Sequence, residues 1–453
     1  MEPEKQTTLD QGRAGTAPVS GSPKGIAPII TQYRWLICTL LFLATTINYI
    51  DRQILSLVKP ILDQELHWTN TQFGLVNSAF QGAYAVGLLG FGWLVDKFGT
   101  KIGYSLSIAF WSTAAVCHAF VGSVTGFMGV RMFLGISESG NFPSAIKTVA
   151  LWFPRKERAY ATSLFNSGAN VGAIVAPALV PFLVKQWGWK FPFIVAGLAG
   201  FVWLLFWTWL YAPPDRHPQI SQGELEHIRS DREAADTPGQ GVSWLVLLRY
   251  PQTWSFVVAK FMTDPVWWFF LTWLPDYFNK TKGLDMKHLG APLVVIYSIV
   301  TVLSIAGGWM TNYLVQCGWA SNKARKTCML LFALCVLPVL FIKGAGLWGA
   351  VCLIGLAAAA HQAWSANLFT TVSDMFPKRA IASVVGIGGM AGSIGGLMFP
   401  IGAGALLDKF AKTGDINAGY GILFGICAGA YVVAFFLNHL LAPRFEQIRL
   451  EEA

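Results

Sequence analysis

The chain has 453 residues, of which 54% are hydrophobic and only 13% are charged. A soluble globular protein carries about 25% charged residues, so this composition excludes an ordinary soluble enzyme and indicates a membrane protein. The net charge of +9 does not indicate nucleic-acid binding, because the basic residues lie in segments between long apolar runs, where orientation in a membrane accounts for them.

The amino-terminal segment, residues 1–32, is polar and rich in Gly, Pro, Ser and Thr. It lacks the apolar stretch of a signal peptide. We therefore expect a disordered tail in the cytoplasm and not a cleaved leader.

From Tyr33 onward, charge-poor stretches of about 20 residues recur, each long enough to cross a hydrocarbon layer of about 30 Å. They are continuous apolar runs without the alternation of a β-barrel, and helices satisfy the backbone of such segments in lipid. We predict an all-α membrane protein with twelve transmembrane helices. The predicted spans are 34–56, 71–95, 102–122, 126–150, 158–184, 190–212, 253–278, 290–316, 325–343, 346–375, 380–406 and 418–441.

A charged segment separates six spans from six. We expect a first six-helix bundle over 33–212, a cytoplasmic linker over 213–251, a second bundle over 252–441 and a cytoplasmic tail over 442–453. An even number of spans puts both termini on one side, and the larger number of loop Lys and Arg residues on that side makes it the cytoplasm. The opposite side has fewer loop lysines, among them Lys59.

The two halves repeat one another in sequence. Gly92–Asp96 follows span 2 and matches Gly308–Asn312 after span 8. Phe153–Lys156 follows span 4 and matches Phe376–Arg379 after span 10. The matching segments are separated by nearly the same number of residues, which indicates a duplication with parallel orientation. We therefore expect two pseudo-symmetric bundles around a central cavity.

The seven cysteines lie in or beside apolar segments and lack metal-ligand spacing, so they are typical of small apolar residues. We expect no metal and no cofactor. The glycine-rich run in span 11 lacks the lysine of a phosphate-binding loop. An ion gradient is therefore the expected source of energy.

The segment from Gly92 to Lys101 resembles the loop motif between spans 2 and 3 of the major facilitator superfamily. The resemblance implies that Gly92, Asp96, Gly99 and Lys101 form a gating motif that latches the transporter on its cytoplasmic side. Asn312 stands where the second half would repeat Asp96, so an equivalent latch there is expected to be weaker.

Within that superfamily, Asn48–Arg52 and the segment from Arg131 to Pro143 resemble the anion:cation symporters. Ala259–Trp268, Ala360–Asn367 and the motifs between Asp374 and Gly392 resemble the hexuronate-transporter branch. The resemblance covers the whole chain. It implies a transporter and not an enzyme: a multi-pass monomer of a bacterial inner membrane that imports glucuronate or galacturonate with protons by alternating access.

Ionisable side chains deep in membrane helices are costly and point to function. Asp51 and Arg52 lie in span 1, and Arg131 and Glu138 lie almost two turns apart on span 4. The resemblance implies that Arg52 binds the substrate carboxylate and that Asp51 and Glu138 carry protons beside Arg131. Burial favours a protonated carboxyl group and a nearby arginine opposes it, so changing access to water could drive coupling. The alternative is a structural ion pair between Arg131 and Glu138.

Lys260 and Asp264 lie one turn apart on one face of span 7. The resemblance puts Lys260 at the substrate, opposite Arg52 of the other half. Other carriers of the family have a neutral amide at this position, so a lysine indicates a second cationic contact to the carboxylate or a switchable charge. The alternative is a structural ion pair within the helix.

Side chains for sugar hydroxyls should converge on the same cavity. The resemblance implies substrate contacts from Tyr49 and Tyr84 in the first half and from His361 and Trp364 in the second. Neighbouring polar residues either add contacts to the sugar or form hydrogen bonds between helices. These neighbours are Asn166, Asn170, Gln362, Ser365 and Asn367, and we expect Asn170 and Gln362 among them to contact the substrate.

Several alternatives remain open. The cargo is a hexuronate or another organic anion, such as the aldonate galactonate or an aromatic carboxylate. Tyr84 and His361 favour a polyhydroxylated substrate. Sodium could replace protons as the coupling ion, and a nutrient sensor that binds without transport is a remote alternative. The role of Lys147 on span 4 is also open.

Overall fold

The computed structural model describes residues 32–230 and 243–448. Within these two ranges the regular structure is helical, without strands. Residues 1–31 of the predicted amino-terminal tail, the linker residues 231–242 and the tail residues 449–453 lie outside the described residues.

Six helices form the first half of the chain. α2 covers predicted spans 2 and 3 because it bends at Gly99, whose φ of +81° is readily adopted only by glycine. Span 4 is divided into α3 and α4 at Ser139 and Gly140. The helices are α1 (Tyr33–Leu66), α2 (Asn70–Cys117), α3 (Val124–Glu138), α4 (Asn141–Trp152), α5 (Arg155–Trp187) and α6 (Phe191–Leu210).

The described part of the linker contacts both halves: Glu224 contacts the first half, and Trp244–Leu247 packs on the helix Lys378–Lys412 of the second. It contains two short helices, α7 (Gln222–Arg229) and α8 (Trp244–Leu247). The buried carboxylate of Glu224 accepts hydrogen bonds from the backbone N–H groups of Tyr33 at 3.1 Å and Arg34 at 3.0 Å. These are donors of the first turn of α1, which lack partners within the helix, so the linker caps the first transmembrane helix.

The second half repeats the pattern with six long helical stretches. α11 continues as a 3-10 helix over Leu337–Gly344 and so completes predicted span 9. The helices are α9 (Pro251–Lys282), α10 (Gly290–Gln316), α11 (Ser321–Val336), α12 (Leu347–Met375), α13 (Lys378–Lys412) and α14 (Ile416–Leu441).

Nine helical stretches in the described residues are long and apolar enough to span a membrane. This agrees with the predicted all-α membrane class, whereas the count of twelve stays a prediction. The other three predicted spans fall on the second part of α2, on the divided pair α3 and α4, and on α9, which carries several charged side chains. Outward-facing side chains such as Leu205 (69% exposed) and Trp209 (77% exposed) suit contact with lipid.

The two halves meet through helix pairs that the internal repeat relates to one another. α2 packs on α13, and α5 packs on α10. The helices α2, α5, α10 and α13 carry spans 2, 5, 8 and 11. In the internal repeat, span 2 corresponds to span 8 and span 5 to span 11, so exchanging the halves converts one helix pair into the other. α1 also packs on α9, which are spans 1 and 7. These contacts have the pseudo-two-fold relation expected of a duplicated chain.

Candidate functional site

A buried ion pair joins α1 to the end of α3. Arg52 Nε donates to Glu138 Oε2 at 2.7 Å, and the side chain of Glu138 is fully buried. Arg131 Nη2 donates to the backbone oxygen of Arg52 at 3.3 Å. The structure thus pairs Glu138 with Arg52 of the neighbouring helix and not with Arg131, which lies about 10.5 Å away along the helix axis. The alternative of an ion pair within span 4 is wrong for this conformation.

Aromatic rings surround the Arg52 guanidinium. Its central carbon lies 5.2 Å from the ring centroid of Tyr49, 5.3 Å from Phe80, 4.8 Å from Tyr84 and 5.7 Å from Trp268. Such rings stabilise a cation that is withdrawn from water. Two predicted substrate contacts, Tyr49 and Tyr84, therefore lie at the predicted carboxylate-binding arginine.

Asp51 is also buried, with 2% of its surface exposed. Neither of its carboxylate oxygens has a hydrogen-bond partner among the described residues, and the same holds for Nδ2 of Asn48 and Nε of Arg131. A buried polar atom without a partner is costly. Protonation would remove the charge of Asp51. Water or substrate entering the site would supply hydrogen-bond partners for Nδ2 of Asn48 and Nε of Arg131.

A cavity of about 620 Å³ lies between the two halves. Five predicted substrate contacts line it, together with Asp264 and the indoles of Trp267 and Trp268. Arg52 lines a narrower adjoining pocket, and Trp268 borders both spaces. The five predicted contacts in the main cavity are Tyr49, Asn170, Lys260, His361 and Gln362, and the further polar lining residues are Ser163, Asn166, Ser167, Thr301 and Ser365.

Lys260 and Asp264 form an ion pair on the wall of this cavity. The two charged atoms are 2.6 Å apart, and the side chains retain 8% and 18% exposure. Lys260 Nζ also lies 4.5 Å from the ring centroid of Phe369. The pair expected as one alternative for these residues is therefore present, and it coexists with access to the cavity.

His361 and Trp364 of α12 occupy different positions. His361 stacks on Trp267 with ring centroids 5.4 Å apart, and its Nδ1 lies 2.5 Å from the hydroxyl of Tyr431. Trp364 is fully buried and packs edge-on against Tyr431 at 5.8 Å. In this conformation His361 faces the cavity, whereas Trp364 supports Tyr431 behind it.

The predicted gating motif lies where α2 bends. Gly99 provides the bend, and the backbone oxygen of Lys101 accepts a hydrogen bond from Trp207 Nε1 at 3.4 Å. Lys147 Nζ donates to the backbone oxygen of Val95 at 2.9 Å. Lys147, whose role the sequence left open, thus binds the motif from α4. Gly92 lies seven residues before the bend, while the side chain of Asp96 lies outside the described residues.

A cluster of charged side chains joins the two halves at the carboxyl end of α1. This cluster was not predicted from the sequence. Lys59 Nζ lies 2.6 Å from Asp276 of α9 and 2.8 Å from Asp63. Lys280 lies 3.1 Å from Asp276 and 3.4 Å from Asp63, and the Tyr420 hydroxyl donates to Asp276. Two lysines and two aspartates thus balance in charge, largely out of water.

A second contact between the halves lies beside this cluster. The carboxylate of Asp408 on α13 accepts hydrogen bonds from the backbone N–H groups of Asn70 at 2.9 Å and Thr71 at 2.8 Å. A carboxylate at this position satisfies first-turn donors and the helix dipole. The cluster around Lys59 and Asp276, with Asp408 and its partners, is named here the closed end.

The prediction that Lys59 lies in a loop is wrong. α1 continues beyond the predicted span, through Pro60 to Leu66, and Lys59 is only 1% exposed. The spacing of Lys59 and Asp63, one turn apart, was the sequence signal for a longer helix.

Comparisons with known proteins agree with the family resemblance drawn from the sequence. The family model described as "Major Facilitator Superfamily" matches residues 41–400. The chain is 28% identical over 408 residues to the hexuronate transporter of Escherichia coli (strain K12), covering 88% of this chain and 91% of that protein. It is 29% identical over 390 residues to the D-galactonate transporter of Escherichia coli O6:H1, covering 83% and 90%.

Solved structures share the fold. A bacterial homolog of the human lysosomal transporter Spinster, in an inward-facing and occupied conformation, aligns with a TM-score of 0.72 and 17% identity, covering 91% of this chain and 98% of that one. A D-xylose–proton symporter aligns with a TM-score of 0.71 and 13% identity, covering 91% and 99%.

Proposed function

Because the chain belongs to the Major Facilitator Superfamily, we propose that it imports a hexuronate, glucuronate or galacturonate, together with protons across a bacterial inner membrane. The relatives compared with it are transporters and not enzymes. The hexuronate transporter among them supports the substrate class. The chemistry of the cavity supports it as well.

The observation that carries the proposal is the ion pair between Arg52 and Glu138 at the junction of the halves. A substrate carboxylate that binds Arg52 has to replace the Glu138 carboxylate. Glu138 then lies in an enclosed site without its cationic partner, and a proton removes that cost. Substrate binding and proton binding thereby depend on one another. Asp51, next to Arg52, is the second expected proton carrier.

The remaining lining of the cavity suits a polyhydroxylated anion. Tyrosine, asparagine, glutamine and histidine side chains alternate with indoles around the cavity. Amides and hydroxyls donate and accept hydrogen bonds, and aromatic faces cover the apolar face of a sugar ring. A sugar acid uses both kinds of contact, whereas a flat aromatic acid leaves many of the polar groups unpaired.

The arrangement of the halves supports alternating access. If both termini are cytoplasmic, α1 begins at the cytoplasmic side and its carboxyl end, where the closed end lies, is periplasmic. The conformation is then inward-facing. Import then starts when the contacts of Lys59 and Asp408 separate, so that the cavity opens to the periplasm. Protonated carboxyl groups and a neutralised substrate allow the halves to close again on that side, and release into the cytoplasm follows.

The stoichiometry decides whether voltage drives accumulation. Two protons with one monoanion carry one net charge, which is worth about 2.3 kcal/mol per 100 mV or roughly fifty-fold accumulation. One proton makes the transport electroneutral. Substrate-induced current in proteoliposomes distinguishes the two, since an absence of current excludes the two-proton cycle.

The proposal is tested by uptake of labelled glucuronate into proteoliposomes under a pH gradient. Glu138→Gln should abolish proton-driven uptake but retain exchange of internal for external substrate, because the neutral amide mimics the protonated state. Arg52→Ala should abolish both, because the carboxylate loses its cationic partner. Gradient-driven uptake by the Glu138→Gln protein at the wild-type rate would refute the assignment.

A second candidate is the import of an aldonate. The D-galactonate transporter is as similar to this chain as the hexuronate transporter is. Uronates form a ring whereas aldonates are open chains, and both present one carboxylate and several hydroxyls. Competition of uronates, aldonates and benzoates against labelled glucuronate separates the candidates. Stronger inhibition by galactonate than by unlabelled glucuronate would favour the aldonate.

A further inference from the structure

The ion pair between Lys260 and Asp264 differs from the other buried ion pairs in its setting. Lys59 and its partners join the two halves, and Arg52, which pairs with Glu138, lines the narrower pocket that shares Trp268 with the main cavity. Lys260 and Asp264 both belong to α9 and both line the main cavity. The pair therefore lies where a bound substrate would lie.

Asp264 occupies the position of an anion on Lys260. Among the ion pairs between described residues, Asp264 is the carboxylate that contacts Lys260. On the other side, a Cβ added at Gly392 of α13 would lie 2.2 Å from Asp264 Oδ2. Glycine at 392 thus leaves the space in which the carboxylate fits. The site presents an internal carboxylate to the only lysine that lines the cavity in the described chain.

We propose that Lys260 and Asp264 form an exchangeable ion pair, in which the substrate carboxylate that binds Arg52 takes Lys260 as its second cationic contact and replaces Asp264 there, and Asp264 takes up a proton. The inference rests on the proposed sugar-acid transport and adds a proton-binding residue in the second half. The Lys260 ammonium keeps its charge throughout. The proton comes from water in the cavity and forms an O–H bond at a carboxylate oxygen of Asp264, so this pair takes up one proton per bound anion, besides the proton proposed for Glu138.

The exchange follows from the cost of an unpaired charge. A carboxylate that loses its cationic partner in a largely enclosed site is strongly destabilised, and neutralisation relieves this. His361 and Tyr431 are hydrogen-bonded to each other at 2.5 Å, so neither needs Asp264 as a partner. The titratable groups that face Asp264 or share its cavity are Lys260 of α9, His361 of α12, Tyr431 of α14 and Tyr49 of α1.

The inference predicts an unusual direction for one substitution. In Asp264→Asn, Lys260 has no internal carboxylate to release, so glucuronate should bind about tenfold more tightly. If the pair serves only to stabilise the fold, the same change should leave the affinity unchanged or weaken it. The affinity of the Asp264→Asn protein should also depend less steeply on pH than that of the wild type.

The experiment is isothermal titration calorimetry of the full-length protein in nanodiscs with D-glucuronate. Repeating each titration in buffers of different ionisation enthalpy gives the number of protons bound per substrate. Asp264→Asn should take up about one proton fewer than wild type. Asp285→Asn is the matched control, because Asp285 pairs with His288 in the exposed segment between α9 and α10. The control should match wild type in proton uptake and affinity.

A double variant guards against misfolding of the single one. Lys260→Gln with Asp264→Asn leaves a neutral pair, and it should bind glucuronate at least about tenfold more weakly while also losing one proton. Wild-type proton uptake in either variant overturns the exchange, and so does weaker binding by Asp264→Asn alone. Failure of the wild-type protein to bind uronates or aldonates overturns the proposed function as well, and this result appears before any variant is compared.

Discussion

The closed end offers a direct test of how the halves are held together. Lys59 is 1% exposed and lies 2.6 Å from Asp276, which is fully buried. The substitution Lys59→Met keeps the length of the side chain and removes its charge. Asp276 then remains buried with one lysine in place of two.

The magnitude follows from the contacts. Removing one partner of a buried ion pair costs about 3–5 kcal/mol. Lys280 still lies 3.1 Å from Asp276, so we take the lower end of that range, about 3 kcal/mol. When the closed end separates, water solvates Asp276 and most of the penalty disappears. Lys59→Met should therefore shift the equilibrium between closed and open by roughly 100-fold towards open.

Hydrogen–deuterium exchange of the protein in nanodiscs measures this shift. The N–H groups of Asn70 and Thr71 donate to Asp408 of the other half in the closed state, so their exchange reports separation of the halves. Lys59→Met should speed their exchange by up to roughly 100-fold. Lys409→Met is the matched control, because Lys409 is an exposed lysine next to Asp408, and its removal should change the exchange little.

Two results would contradict this reasoning. Unchanged exchange at Asn70 and Thr71 in Lys59→Met would mean that the charge cluster does not hold the end closed. The double variant Lys59→Met with Asp276→Asn should recover most of the protection, because the buried group that lost one of its two lysines is then neutral. A double variant that exchanges faster than the single one would show that the two residues act independently.

Two further predictions concern packing and pH. Gly392→Ala should lower uptake, because the added methyl must displace Asp264 at a cost of about 1–3 kcal/mol; Gly389→Ala, where a Cβ meets no atom within 4 Å, should behave like wild type in the same uptake assay. Burial raises the pKa of Glu157, but the hydrogen bonds and positive charges of His227 and Arg34 together lower it more, so that the pKa lies below its ordinary value of 4.5. The stabilisation from Glu157 is therefore present above about pH 4.5 and is lost as the pH falls through the folded pKa. The melting temperature of Glu157→Gln, followed by tryptophan fluorescence, should fall below that of wild type at about pH 6 and approach it at about pH 3.5; an equal difference at both pH values would contradict this.

Much of the architecture could be predicted because it is local. Apolar runs of sufficient length predicted the helices, and the repeat of Gly92–Asp96 in Gly308–Asn312 predicted the relation between the halves. The ion pair of Lys260 and Asp264 was one of the two alternatives drawn from their spacing of one helical turn. In each case the information lies within one segment or in a comparison of two segments.

The rest of the site depends on contacts between distant segments. Glu138 pairs with Arg52 of another helix, although Arg131 on its own helix was the nearer partner in sequence. Lys59 forms an ion pair with Asp276, and Asp408 caps α2; both contacts join residues from opposite halves. No local period or spacing relates such residues, because their proximity results from how the halves pack.

The linker helix α7 determines where this chain can be divided into two fragments without removing the cap of α1. Glu224 completes the amino terminus of α1, although it lies 190 residues after Arg34 in the sequence. Fragments separated after residue 230 keep Glu224 in the same piece as α1, so the first half would retain its own cap when produced alone. Fragments separated before Ser221 would give the cap to the other piece, and the helix that bears Arg52 would start with exposed amide groups until the two pieces reassembled.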